Sequence, residues 1–339
     1  MVSHTALIVG SFGLGLVLQW VVLRLVNHRH LLAQVNERSS HITPTPTMGG
    51  VVIVLLVLAY LSWLSQMEPH MALSMIAALS AVAAIGLWDD LASISALVRL
   101  IVHAGAAALG LWGLGLWGLW GLSDMGLVSW FLAGAVGLAV VWFVNLFNFM
   151  DGIDGIAAAQ ALIFCVGVQL LTGGVPGWSG DLLWTISGVT LAFLAYNWPP
   201  ARIFMGDVGS GFLGLLIALM TFQLWQTGIL PLVGSLILLA VFWFDASYTL
   251  CVRMLTGQPF TQAHRSHLYQ RLAERQGHLW TTIAFLVFSM LWLGPLAWVA
   301  VNFADYQILT LLIAVLPLAA LCWRFKAGTI ESDETEVTS

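Results

Sequence analysis

Charge is scarce in this sequence. Of 339 residues only 8% are charged, with 11 basic and 16 acidic side chains. A soluble domain carries about a quarter charged residues, so this chain cannot cover a water-facing surface with them. The formal net charge of −5 comes largely from Glu331, Asp333, Glu334 and Glu336 in a polar C-terminal end. Without those four the chain is near neutral, which excludes a nucleic-acid-binding role. Cysteine is also scarce: Cys165, Cys251 and Cys322 lie in or beside apolar stretches without metal or disulfide spacing. They read as small apolar residues. No basic segment precedes the first apolar run, which therefore reads as a first span and not as a cleaved signal.

What the chain has is apolar length. Hydrophobic residues make up 60% of it, in runs near the roughly 20 residues that cross a bilayer as helix. The expected fold is an all-α integral membrane protein with about eleven transmembrane helices. They fall near 5–26, 48–65, 71–88, 100–122, 127–149, 157–172, 182–197, 208–226, 229–249, 280–301 and 306–324. One catalytic transmembrane domain, 1–326, then precedes an acidic, disordered tail, 327–339. With the N-terminus placed outside, every Lys and Arg falls at the cytoplasmic side: Arg24, Arg29, Arg38, Arg99, Arg202, Arg253, Arg265, Arg271, Arg275, Arg324 and Lys326. Positive residues stay inside, so the N-terminus is expected outside and the C-terminus in the cytoplasm. The run with Trp112, Trp117 and Trp120 among glycines reads as an aromatic belt with close helix contacts.

The same topology sorts the carboxylates. Glu68, Asp124, Asp181 and Asp305 are single outer-loop charges. Asp89, Asp90, Asp151, Asp154, Asp207 and Asp245 all fall at the inner edge. A lone aspartate at a helix end is ordinarily a cap or a solvated charge. Six at one edge of apolar helices are harder to explain, because carboxylates at membrane depth are costly and repel unless a cation or shared proton intervenes. An oxygen-rich cluster suits Mg²⁺, which commonly takes one or two carboxylates together with substrate phosphates. Asn145 and Asn148, three apart on one helix face, add neutral oxygens or donors. Glycines accompany the acids in Asp151-Gly152-Ile153-Asp154-Gly155 and Met205-Gly206-Asp207-Val208-Gly209-Ser210-Gly211. They permit close backbone approach, and each segment opens a helix whose N–H groups suit anions. His264-Arg265-Ser266-His267, followed by Arg271 and Arg275, suits either diphosphate or anionic lipid. His41 to Gly50, with two prolines and a glycine pair, marks an ordered entry to a helix.

In these segments the chain resembles the polyprenyl-phosphate N-acetylhexosamine-1-phosphate transferases, a family that includes the phospho-MurNAc-pentapeptide translocase and the enzymes initiating O-antigen and teichoic acid synthesis. Five segments in the family's order carry the resemblance: Pro44–Gly50, Gly86–Asp90, Asn145–Gly155, Phe204–Gly211 and His264–Arg271. It implies a cytoplasmic-face active-site cleft in the bacterial cytoplasmic (inner) membrane. There undecaprenyl phosphate would attack a UDP-N-acetylhexosamine to release UMP. It further implies that Asp207 and Asn148 hold Mg²⁺, with Mn²⁺ as a substitute, and that Asp89, Asp90 and Asp207 are catalytic. Arg99 would hold the lipid phosphate, Asn145, Asp151 and Asp154 would bind substrate, and His264, Arg265 and His267 would contact the sugar diphosphate. The membrane lipids are partners by class, and a homodimer is compatible with such a fold.

The loop His-Arg-Ser-His departs from the three consecutive histidines usual in the peptidoglycan enzyme. It resembles the branch that starts O-antigen or other surface glycans, with GlcNAc, FucNAc or QuiNAc donors. The muropeptide transferase is the alternative within the family. An ion-coupled secondary transporter is the alternative outside it, but carriers bury their acids near the bilayer midplane between repeated halves, and no such repeat is visible here.

Overall fold

The computed structural model describes residues 3–29, 32–33, 45–115, 126–259 and 264–329. His41–Pro44, Arg38, Trp117, Trp120, Asp124 and the four acids of the tail lie outside them. The described chain is helical: α1 His4–Arg29, α2 Gly50–Leu64, α3 Pro69–Leu91, α4 Ala96–Gly113, α5 Leu127–Met150, α6 Ile156–Leu171, α7 Gly177–Asn197, α8 Asp207–Gln226, α9 Leu232–Leu238, α10 Ala240–Leu255, α11 Leu268–Phe288, α12 Gly294–Asn302 and α13 Gln307–Arg324. A π-turn, Ser289–Leu293, joins α11 to α12, and Leu32–Ala33 (β1) pairs antiparallel with Thr45–Pro46 (β2).

Helix α8 is the axis of the bundle. Its side chains from Val208 to Phe222 are buried throughout, and it packs against α2, α3 and α5. The outer surface, by contrast, exposes Leu127, Phe131, Leu170, Leu291, Ile308 and Trp323, apolar side chains of the kind a membrane-embedded surface presents. Between helices in lipid the hydrophobic effect supplies little, and close packing and polar contacts hold them together. Such a contact is buried Gln19 of α1, whose Nε2 donates to the Gly49 carbonyl at 2.7 Å.

Among the described residues, seven helical stretches are long and apolar enough to cross a membrane: α1 as far as Val26, α3, α4, α5, α8, Leu268–Asn302 and Ala304–Arg324. The α9–α10 pair makes an eighth if it counts as one span, bent by 78°. The protein is thus multi-pass. The other three expected spans are helical but fall short of that standard. Helices α2 and α6 have 15 and 16 residues, and α7 is diluted by Asp181, Thr185, Ser187 and Thr190. More than half of the residues of each are buried against neighbouring helices, and Leu55, Leu170 and Leu191 remain on the outer surface.

Two breaks are not visible in the apolar pattern. At Leu239 the chain turns between α9 and α10, and the carbonyls this frees are met by side chains. Gln160 Nε2 donates to Leu238 at 3.0 Å and Trp243 Nε1 to Leu236 at 2.8 Å, as a broken helix away from water requires. Within α11, Gly277 leaves helical geometry at φ 82°, so the amphipathic start of α11 is angled away from the apolar remainder. The tail boundary also shifts: Ala327 is buried and Gly328 is hydrogen-bonded, so residues 327–329 belong to the folded domain and not to a disordered tail.

Candidate active site

The site begins where two remote segments meet. Phe204 donates its N–H to Pro46, and Gly49 and Gly50 donate theirs to Phe204 and Met205, all at 2.8–2.9 Å. This main-chain lacing lays the entry to α2 alongside the turn that opens α8. Gly206, at φ 75°, makes that turn, and a Cβ there would stand 2.6 Å from Asp90 Oδ2. Only glycine fits both the conformation and the space.

Asp90, at the end of α3, spends both oxygens on the start of α8, accepting from Asp207 N at 2.9 Å and Val208 N at 3.1 Å. These are N–H groups that a helix leaves unsatisfied. Asp90 therefore fixes the position of Asp207 from a distant element. Asp89 turns the other way. Its Oδ1 accepts from Ile94 N at 2.7 Å, closing the α3–α4 turn, and its Oδ2 accepts from Arg99 Nη1 at 2.5 Å. The same Arg99 nitrogen lies 3.3 Å from Asp207 Oδ2, so one guanidinium is held between two carboxylates. Asn148, near the end of α5, donates from Nδ2 to Asp207 Oδ1 at 2.8 Å and to Ser210 Oγ at 2.9 Å.

A cavity of about 190 Å³ opens beside this cluster, lined by Thr47, Asn148, Asp151, Asn197, Asp207 and Ser210 among others. That is below the roughly 300–1,000 Å³ of drug-sized ligand pockets. It suits a compact polar group such as a diphosphate, with any larger remainder outside. Its donors are all oxygen and amide. Burial, then Asp207, Asp90 and Asp154, raise the Asp151 carboxyl well above its usual range, and a cation placed among them would relieve that repulsion. Among the described residues no three His, Cys, Asp or Glu side chains form a metal-holding group. A cation here would accordingly take few protein ligands and complete its shell with water or substrate oxygens, the habit of Mg²⁺. The orientation of the Asn148 amide follows from its hydrogen bonds to Asp207 and Ser210, and turning it over would present its oxygen to such a cation.

Other residues expected at the site stand back from the cavity lining. Asn145 Nδ2 donates to Val141 of its own helix at 2.7 Å. Asp154 is buried behind the wall, accepting from Ala201 N at 3.0 Å, with His278 Nδ1 at 3.3 Å from its Oδ1. His264, Arg265 and His267 are also absent from the lining. The His264 and His267 rings lie 4.9 Å apart. Burial, then His267 and Arg253, lower the His264 pKa to about 3, so at neutral pH it offers hydrogen bonds and not charge. Arg265 Nε faces Glu274 at 3.9 Å. The loop is nevertheless coupled to the cavity's edge: Tyr269, next in line, donates from Oη to Phe149 O at 2.8 Å. Asp245 starts α11 as Asp90 starts α8, accepting from Leu268 N and Tyr269 N at 2.9 and 3.0 Å.

Thr47, Asn197 and Ser210 are additions that the sequence reading does not single out. Ser210 has a signal, since it stands one helical turn after Asp207. Asn197 has none: its side chain accepts from Gly155 N at 2.9 Å and donates to Ile203 O at 2.8 Å, contacts across 42 and 6 positions.

Comparison with known proteins matches residues 72–224 to glycosyl transferase family 4. A probable undecaprenyl-phosphate N-acetylglucosaminyl 1-phosphate transferase of Bacillus subtilis is 31% identical over 76% of this chain and 74% of its own. A decaprenyl-phosphate N-acetylglucosaminephosphotransferase of Mycobacterium leprae is 28% identical over 89% of this chain and 83% of its own. A phospho-N-acetylmuramoyl-pentapeptide-transferase of Chlamydia muridarum reaches 43% identity, but over only 30% of this chain and 32% of its own.

Proposed function

We propose a specific reaction for a chain that belongs to glycosyl transferase family 4, the polyprenyl-phosphate hexosamine-1-phosphate transferases. An oxygen of undecaprenyl phosphate attacks the β-phosphorus of a UDP-N-acetylhexosamine. A new P–O bond joins the two phosphates, the α–β bridge breaks, and the bridging oxygen leaves with UMP. The product is polyprenyl-diphosphate-N-acetylhexosamine, which starts a surface polysaccharide such as O-antigen. GlcNAc is the preferred donor sugar, in keeping with the names of the two long matches. The muropeptide donor is less favoured, because that similarity spans under a third of the chain.

The observation that carries this proposal is the bracketing of Arg99 by Asp89 and Asp207 beside an oxygen-lined cavity. Two anionic phosphates must meet, and their repulsion is the main obstacle. Arg99 supplies fixed positive charge, oriented by Asp89. Preorganised charge of this kind stabilises what develops in the transition state. Asp90 sets Asp207 in place through the α8 backbone. Asp207 and Asn148, with Asp151 close by, would hold Mg²⁺, which when bound neutralises phosphate oxygens and aligns them. A phosphate monoester is largely ionised near pH 7, so the acceptor needs no strong base. The cavity faces the cytoplasm, where the nucleotide sugar is found, with the N-terminus outside, in keeping with the confinement of Lys and Arg to one side.

The test is release of UMP by the purified protein supplied with undecaprenyl phosphate, Mg²⁺ and a panel of UDP-sugars. UMP with UDP-GlcNAc, and none once EDTA is added, is the expected result. No UMP from any donor by folded protein would overturn the proposal, and decaprenyl phosphate run in parallel decides the acceptor's length.

A further inference from the structure

Arg253, near the end of α10, is a buried cation whose hydrogen bonds run to neutral oxygens. Its Nη1 donates to Gln258 Oε1 at 2.9 Å and to Ser266 Oγ at 3.4 Å, and its Nη2 to Pro259 O at 2.9 Å. Ser266 Oγ in turn lies 3.0 Å from His264 Nδ1. The other side of the same loop is held by the chain beyond α13. Gly328 N donates to Ser266 O at 2.8 Å, Gln258 Nε2 donates to Gly328 O at 2.9 Å, and Arg271 Nη2 donates to Thr329 O at 2.8 Å. Gly328 sits at φ 82°, and a Cβ there would stand 2.7 Å from Thr249 O and 2.8 Å from Val252 Cβ. The turn therefore reaches its place only as glycine.

Arg253, and Arg271 from the stretch read as suiting phosphate or lipid, thus both hydrogen-bond within the protein. A buried guanidinium is retained where its fork of donors fixes several groups at once, and here all of those groups belong to one loop. We infer that Arg253 and the Gly328 turn form a clasp that positions the His264–His267 loop for the nucleotide-sugar donor. The donor part of this inference rests on the proposed reaction, whereas the clasp rests on the contacts alone. Arg253 and Gln258 are positioning residues, acting through Ser266 on His264 and not on the reacting atoms.

The test uses full-length Arg253→Met, Gly328→Val and, as a mild change outside the core, Gln258→Ala. Two measurements are made on each folded variant: KM for UDP-sugar against KM for polyprenyl phosphate, and the rate of tryptic cleavage after Arg265. The donor KM is expected to rise about tenfold, the effect of one or two lost hydrogen bonds, with the acceptor KM within about twofold of the parent's. Cleavage after Arg265 is expected to quicken. Equal changes in both KM values, or none, would overturn positioning toward the donor. An unchanged cleavage rate in Arg253→Met and Gln258→Ala would overturn the clasp. If the parent released UMP from no donor, the proposed reaction would fail on its own, and the cleavage rates would still decide whether the loop is clasped.

Discussion

Two helices of this protein start in the same way and lead to different surroundings. Asp90, from the end of α3, caps α8; Asp245, from within α10, caps α11. Each carboxylate takes the first two N–H groups of a helix to which it does not belong, so each joins two elements. Around α8 the neighbours are Asp89, Asp207, Asn148 and Arg99, a charged cluster beside a cavity. Around α11 they are Thr249, His267 and Tyr269, closely packed, with the His267 ring stacked on Tyr269. The capping device is therefore not itself the mark of chemistry. What distinguishes the first cap is that the residue it positions, Asp207, presents its own carboxylate to the cavity.

The largest effect should come from that residue. Asp207→Ala removes the carboxylate on which Asn148 and Arg99 converge, and turnover measured as UMP release should fall to background. Substantial activity in that variant would dissolve the distinction between the two caps. Arg99→Met should follow closely, with kcat reduced about 10²–10³-fold, the scale of losing one preorganised charge-stabilising group. Its folding should be little affected, because the side chain is a third exposed.

The caps themselves come next. Asp90→Asn and Asp245→Asn each leave one helix N–H poorly met and weaken the charge–dipole interaction, and each should lose about 1–2 kcal/mol of stability. Their kinetics should part. Asp90→Asn should lower kcat, because Asp207 shifts, whereas Asp245→Asn should raise the donor KM and leave kcat near the parent's. Matching kinetic losses in the two variants would show that both caps serve one undivided site.

A smaller effect sharpens the electrostatic side of the comparison. The Asp151 carboxyl is raised in the folded protein by burial and by Asp207, Asp90 and Asp154. A carboxyl whose folded pKa is raised takes stability away as pH climbs above its unfolded value of about 3.9. In EDTA at neutral pH, Asp151→Asn should therefore melt higher than the parent, and the gap should close below about pH 4. Added Mg²⁺ should narrow the gap at neutral pH by compensating the repulsion. A variant that melts lower than the parent in EDTA would show that the four carboxylates do not repel in the way their placement implies.

Much of this is legible in the residues before any fold is known, and the part that is not has a common cause. Runs of apolar residues mark α5, α8 and α13 to within a residue or two, because lipid and bundle both demand uninterrupted hydrophobicity. The Gly206–Asp207 turn and the end of α5 are marked by glycine and aspartate in short spacing. The break at Leu239 is hidden because its freed carbonyls are answered by Gln160 and Trp243 from other positions. Asp90 and Asp245 look alike with the other inner-edge acids because a cap given to a distant helix leaves no local pattern. The turn at Gly328 is hidden for the same reason, since the loop it holds lies 62 positions earlier.

The smallest effect is expected at Asn145, and it tests how far spacing alone can be taken. Asn145 and Asn148 share a helix face and are the same residue type, so spacing gives them equal standing. The structure separates them by where their amides go. Asn148 donates outward to Asp207 and Ser210, both at the start of α8. Asn145 donates back to Val141, four residues earlier in its own helix, a local bond that competes with solvent and contributes little. Asn145→Ala should therefore keep kcat and both KM values within about twofold of the parent's, since a single local hydrogen bond is worth about 1 kcal/mol at most to either state alike. Asn148→Ala should lower kcat by about 10–100-fold, the scale seen when a metal site loses a supporting partner. If the two variants fell together, the amide of Asn145 would have to turn from Val141 toward substrate during turnover, and the face shared by the two asparagines would be the functional unit after all.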